Sequence, residues 1–299
     1  MSGTLYLVPT PIGNLGDISP RMAQTMAQAD FIAAEDTRVT MKLLNHLELK
    51  KPMVSYYRHN SENSGQSILQ RLLAGESCAL VTDAGTPAIS DPGEDLVRLC
   101  REREAVSDPG EELVALCAQN GVEVVSIPGP CALVTALAAS GQPTGRFTFE
   151  GFLAMNKKNR RRHLESLRGE ERTMIFHEAP HKLRKTLSDF SKVFGSDRRV
   201  ALCRELTKKY EEAHRTTIHE VLDYYKDKEP RGEYVLVLEG KTKEQVEEER
   251  KKEWENLTLE EHMQVYESQG TPRKEAMKLV AKDRGMSKRD VYQALLKEE

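Results

Sequence analysis

The strongest constraint on this chain is an alternation in its first half between short β-rich runs and stretches of helical periodicity. Runs at 5–8, 31–34, 53–56, 79–82 and 122–127 are rich in branched or compact apolar residues. Helical patterns lie between or after them, near 20–29, 37–47, 67–74 and 130–139. Strands separated by helices imply βαβ crossovers, hence a mostly parallel sheet with helices on both faces. Pro128-Gly129-Pro130 marks a firm turn after the fifth strand. A chain of 299 residues is long for one compact core, so two lobes with an appendage are expected.

The segment Ser90-Asp-Pro-Gly-Glu-Asp-Leu-Val-Arg-Leu-Cys100 returns 17 residues later as Ser107-Asp-Pro-Gly-Glu-Glu-Leu-Val-Ala-Leu-Cys117, with nine of eleven positions identical. Two copies do not make a solenoid. Only one helix fits between the fourth and fifth strands, so one copy must be surplus. A second lobe is expected from about 149 to 240, with strands at 173–177, 199–204 and 234–239 and helices at 161–168 and 180–194. Residues 241–254 are highly charged, with glutamate-to-lysine i,i+4 pairs that read as a solvated linker helix. Three helical patterns follow at 258–268, 272–283 and 288–297; Gly285 and Ser287 suit a left-handed helix end and an N-cap. The domains are thus 1–148, 149–240 and a helix–turn–helix-like tail at 241–299.

Net charge is −3, so an anionic partner would have to meet a local basic surface. Two such surfaces exist: Lys157-Lys-Asn-Arg-Arg-Arg-His163, and the tail from 271 to 297, where eight Lys/Arg face three Asp/Glu. The longest apolar stretch, 131–139, is too short to span a bilayer, which needs roughly 20 residues. The N-terminus lacks a cationic leader. The five cysteines form no CxxC pair and sit in apolar runs, which suits reduced thiols and a cytoplasmic protein. No His/Cys/carboxylate spacing points to a metal.

The first loop, Val8-Pro-Thr-Pro-Ile-Gly-Asn-Leu-Gly-Asp17, follows a strand and precedes a helix, where open α/β sheets bind ligands. It is neither GxGxxG nor a Walker A loop. The loop after the fourth strand, Thr82-Asp-Ala-Gly-Thr-Pro-Ala-Ile-Ser-Asp-Pro-Gly93, has a backbone path dictated by glycine and proline. It reads either as a ligand loop or as a rigid crossover.

These two loops, with Ala34-Glu-Asp-Thr-Arg38, Ile127-Pro-Gly-Pro130, Phe149-Glu-Gly-Phe-Leu153 and Arg204-Glu-Leu-Thr-Lys-Lys209, occur in one order. The set closely resembles the small-subunit ribosomal RNA methyltransferase I family, of the tetrapyrrole-methylase-like superfamily, from Gly3 to Gly240; the tail resembles that family's C-terminal helical domain. The resemblance implies a class III methyltransferase fold, two α/β lobes with S-adenosylmethionine in the cleft, acting on the ribose 2′-hydroxyl of a cytidine in small-subunit ribosomal RNA. It also implies a homodimer. Carried over by motif, the donor site would use Pro9, Thr10, Asp83, Ala84, Gly85, Thr86, Pro87, Pro128, Cys131, Glu178 and Thr207.

A ribose hydroxyl attacks well only as its proton leaves. Glu35, Asp36, Arg38 and Lys208 are the candidate catalytic residues: a carboxylate or a neutral Lys208 to take the proton, Arg38 to hold a phosphate. Asp36 also reads as a helix cap with Arg38 solvated. Lys157, Lys158, Arg160, Arg161, Arg162, Arg273, Lys274, Lys288 and Arg289 are the candidate RNA contacts, and Tyr56, Tyr57 and Phe152 candidate stacking partners for an extruded base. Two other readings stand beside this one: a tetrapyrrole methyltransferase of the same fold, and a noncatalytic RNA- or ribosome-binding protein.

Overall fold

The computed structural model describes residues 2–57, 61–89, 109–242, 244–246, 257–268 and 270–298. The first copy of the duplicated segment, His59-Asn60 and most of the expected linker helix lie outside them. Contacts divide the chain into Met1–Glu239 and Gly240–Glu299.

The first unit holds two sheets. The first contains β1 (Thr4–Leu7), β2 (Phe31–Ala34), β3 (Met53–Ser55), β4 (Cys78–Val81) and β5 (Glu123–Ser126) in the order β3-β2-β4-β1-β5, every pair parallel. Phe31-Ile-Ala-Ala and Cys78-Ala-Leu-Val are buried throughout, as strands covered on both faces require. The crossovers are α1 (Pro20–Gln28), α2 (Thr37–His46), α3 (Ser61–Leu73) and α4 (Pro109–Gln119). Each start is written locally where the cap is seen: Ser19 accepts the Met22 N–H before Pro20, and Asp36 accepts the Arg38 N–H. The second copy of the duplication therefore supplies the crossover helix into β5. Its Leu113 and Cys117 pack with Ile68 and Leu72 of α3.

Helix α5 (Ala132–Ser140) leaves the first sheet and packs on the second. It is apolar nearly all round, with Leu133, Ala136 and Leu137 buried and Val134 exposed. The second sheet contains β6 (Phe147–Phe152), β7 (Thr173–Glu178), β8 (Arg199–Arg204), β9 (Glu212–Thr217) and β10 (Tyr234–Leu238) in the order β6-β7-β10-β8-β9. Only β6–β7 is parallel. Its outer face is covered by α6 (Lys157–Ser166), α7 (Leu183–Phe194) and α8 (Ile218–Tyr224). Strands β6 and β9 and helix α8 were not expected from the sequence.

The second unit contains α9 (Leu259–Ser268), α10 (Arg273–Asp283) and α11 (Lys288–Glu298), packed through Met263, Val280 and Val291. Gly285 has φ +62, and Ser287 Oγ accepts the Asp290 N–H, as the turn chemistry predicts.

Candidate active site

Helices α1 and α2 cover one face of the first sheet, α3 and α4 the other. The connection leaving β1 therefore turns one way and that leaving β4 the other, although the two strands are neighbours. This is the switch point at which open α/β sheets form a crevice beyond their carboxyl ends.

The loops at this crevice are tied together. Thr10 N–H donates to the Gly85 carbonyl at 2.8 Å, and Gly85 N–H returns to Thr10 at 3.0 Å. Thr10 Oγ1 donates to the Thr82 carbonyl and Thr86 Oγ1 to the Pro130 carbonyl, each at 3.0 Å. Gly129 lies so close to Pro9 that a Cβ there would fall 2.7 Å from the proline Cβ. Ala88 is held at φ +65, a strained conformation for a side-chain-bearing residue. Pro9, Thr10, the 83–87 segment, Pro128 and Cys131 thus come from three adjacent loops.

The second lobe meets these loops. Ile12 and Ala84 pack with α5 and with Ile175, Ala201, Cys203 and Val235. Gly13, at φ +138, leaves the space that the Lys208 stem fills, with Lys208 Cγ 2.6 Å from where a Cβ would stand. Thr207 is at φ +66, and its Oγ1 is buried with no hydrogen-bond partner.

Glu178 corrects the sequence expectation. It shares the parity of Met174 and Phe176 on β7 and so faces α7, where it accepts from Thr186 Oγ1. Burial raises its pKa. His177, of opposite parity, shares the face of Ile175. It is 3% exposed, meets the Phe149 ring edge-to-face at 5.1 Å and lies tilted against Phe152 at 5.5 Å. Burial pushes its pKa down to about 4, so the imidazole is neutral. The alternation around Ile175 was the signal for it.

The charged candidates separate. Asp36 caps α2 and chelates the Arg38 guanidinium, which holds its pKa down to about 2; it is a poor base. The cap reading of Asp36 is the one realised. Burial lowers the Lys208 pKa, but hydrogen bonds to Glu233 (2.9 Å) and Glu205 (3.1 Å) outweigh it and the net shift is upward. A neutral Lys208 is therefore not what this arrangement holds. Glu35 is half-buried and accepts from Thr82 Oγ1 at 3.0 Å, while Asp83 Oδ1 accepts the Asp36 N–H at 3.1 Å.

The basic run forms α6, capped by Asn156. Lys157, Lys158, Arg161 and Arg162 are exposed on it. Arg160 is not an RNA contact: it is 5% exposed and binds Asp189 at 2.7 Å and Thr186 at 2.7 Å. Tyr56 is likewise a core residue beside Phe31 and Ile68, whereas Tyr57 is exposed. Arg273, Lys274, Lys288 and Arg289 are exposed on the tail unit.

The family described as Tetrapyrrole (Corrin/Porphyrin) Methylases matches residues 4–108 and 105–222, two stretches that meet at the duplication. Diphthine synthase has a similar fold (TM-score 0.57, 12% identity, 80% of this chain and 91% of that chain). So does uroporphyrin III C-methyl transferase from Thermus thermophilus (TM-score 0.51, 14% identity, 79% and 97%). Ribosomal RNA small subunit methyltransferase I of Bacillus subtilis (strain 168) is 46% identical over 98% of this chain and 94% of its own. That of Escherichia coli O157:H7 is 40% identical over 99% and 96%. With the two-lobed fold and the looped crevice at its switch point, this chain belongs to the ribosomal RNA small subunit methyltransferase I family, within the tetrapyrrole methylases, and is a methyltransferase.

Proposed function

We propose that the chain transfers a methyl group from S-adenosylmethionine to the ribose 2′-hydroxyl of a cytidine in small-subunit ribosomal RNA. The observation that carries this is the pair of loops bridged through Thr10 and Gly85 beneath a second lobe, in a chain 40–46% identical to relatives named for that RNA. Residues 1–148 hold the donor loops, 149–240 close the cleft, and 241–299 contact RNA. The protein works in the cytoplasm on the small subunit or its RNA, as a homodimer.

The residues present fit the donor. An adenosine-sized group needs apolar walls with a few polar atoms, which Ile12, Ala84 and Cys131 and the loop backbone of Pro9, Thr10 and Asp83–Pro87 provide. The orphaned Thr207 Oγ1 is a buried hydroxyl without a partner, as expected at a ligand site. When bound, the sulfonium supplies an electrophilic methyl group. The chain's task is then alignment: the strained, cross-bridged loops hold one geometry, and Glu35 is the half-buried carboxylate placed to accept a proton at the mouth of β2. The exposed cations of α6 supply phosphate contacts that position RNA without reading sequence.

The test is transfer of radiolabel from S-adenosylmethionine to small subunits from a strain lacking this protein, followed by nuclease mapping. Label on a single cytidine ribose is expected. Donor binding without transfer to subunits would redirect the search to another acceptor such as a tetrapyrrole. Loss of both would leave a noncatalytic RNA-binding protein.

A further inference from the structure

The first turns of α10 and α11 carry the same arrangement. Each opens with two adjacent cations and places a large side chain one turn later: Arg273, Lys274 and Met277 on one, Lys288, Arg289 and Tyr292 on the other. These six residues line one groove of about 730 Å³. Tyr292 is 53% exposed and Met277 half-buried, while Ala276, Val280 and Val291 form the core behind them. Lys274, Lys288 and Arg289 make no ion pair with a described residue; Arg273 reaches Glu267 at 3.5 Å.

This arrangement does not serve the stability of the bundle. Cations at the amino end of a helix oppose its dipole; Glu275 and Asp290 in the same first turns offset part of this, yet four cations around one groove repel one another. An exposed tyrosine ring among them gains little from the fold. An anionic ligand with flat apolar groups reverses every one of these costs. A duplex offers phosphates but keeps its bases stacked away, whereas a single strand offers phosphate and a free base face together.

We infer that this groove binds a single-stranded RNA segment, with phosphates on Arg273, Lys274, Lys288 and Arg289 and an unstacked base on the Tyr292 ring beside Met277. The inference rests on the reading of the chain as acting on ribosomal RNA, and it concerns residues remote in sequence from the donor loops.

The experiment is fluorescence anisotropy of the full-length protein with a labelled oligouridylate and with an RNA hairpin of fully paired stem. Tyr292→Ala is expected to weaken the single strand by roughly 5- to 100-fold, and Tyr292→Phe to bind as the parent does. Replacing Lys288 and Arg289 by glutamine lowers the slope of log K against log salt by about 1.4 for the single strand. The hairpin responds to the cation changes and not to Tyr292→Ala. Unchanged oligouridylate binding by Tyr292→Ala, or a hairpin bound as tightly as the single strand, overturns the inference. Methyl transfer to small subunits by a protein that binds no oligouridylate sinks the groove and leaves the proposed function standing. Tyr292-dependent binding without any transfer supports the groove and removes the function.

Discussion

Gly129→Ala tests whether the crevice is held as tightly as its contacts imply. A Cβ at this position would lie 2.7 Å from Pro9 Cβ and 2.8 Å from its Cγ. Carbon atoms rest about 3.5–4.0 Å apart, so the two loops must separate by roughly 1 Å. The proline ring cannot swing aside, and Pro9 precedes Thr10, whose two backbone bonds tie it to Gly85. Overpacking of this kind costs about 1–3 kcal/mol. Donor binding that requires the original spacing would weaken by roughly 5- to 150-fold, and a 1 Å misplacement costs on the order of a hundredfold in rate. Calorimetric titration with S-adenosylmethionine and thermal unfolding without it provide the two readouts. Gly145→Ala is the control, since nothing lies within 4 Å of a Cβ there. Donor affinity within twofold of the parent, at an unchanged Tm, would refute the account of these loops as one rigid unit.

Three further outcomes are expected. His177, neutral with a pKa of about 4, takes up a proton less readily folded than unfolded, where its pKa is near 6.5; its stabilisation is complete above about pH 6.5 and is lost as pH falls towards 4. Urea unfolding at pH 7 and pH 5 should therefore show the parent losing about 2 kcal/mol more than His177→Phe. Arg160→Met strands Asp189 and should cost roughly 2–3 kcal/mol by the same assay, whereas glutamines at Lys157, Lys158, Arg161 and Arg162 should leave stability nearly unchanged and flatten the salt dependence of RNA binding. Deleting residues 90–106 joins Ile89 directly to Ser107-Asp-Pro-Gly. This deletion should leave donor binding and Tm within error of the parent; loss of soluble protein would show that the surplus copy is structural.

The first sheet was legible because its central strands β2 and β4 are apolar throughout and two of its helices begin at readable caps, Ser19 and Asp36. The second was less so, for local reasons. In β6 the register slips between Phe149 and Gly151, which breaks the period-two pattern. β9 is Glu-Ala-His-Arg-Thr-Thr, an edge strand with no buried residue to mark one face. α8 has seven residues, too short for periodicity, although the Thr217–Glu220 capping box announces its start. The helix slot between β4 and β5 went to the second duplicate because its end, Gln119, stands a short turn before Glu123, which a copy 17 residues earlier does not. At the site, the motifs located the loops but not the direction of individual side chains. Glu178 and His177 are adjacent in sequence and opposite in facing, and only the parity of β7 separates them. Arg160 reads as one more exposed cation of a basic run, although its i,i+4 partner Leu164 marks the buried stripe of α6.

The way charge is distributed around the crevice bears on how the reaction is driven. Asp36 is committed to a helix cap and to Arg38, Lys208 is clamped between Glu205 and Glu233, and Glu178 is turned to Thr186. Asp36 is a weak base because its pKa is held down, Lys208 is held as the ammonium by its two carboxylates, and the Glu178 carboxyl lies on the α7 side of the sheet. Glu35 accepts from the Thr82 hydroxyl and stands directly after β2. An electrophile as reactive as a sulfonium needs little help from a strong base and much from alignment. The structure spends its charge accordingly. The loops that would meet the donor are fixed by backbone bridges and a proline–glycine contact, and the titratable groups serve to keep them there.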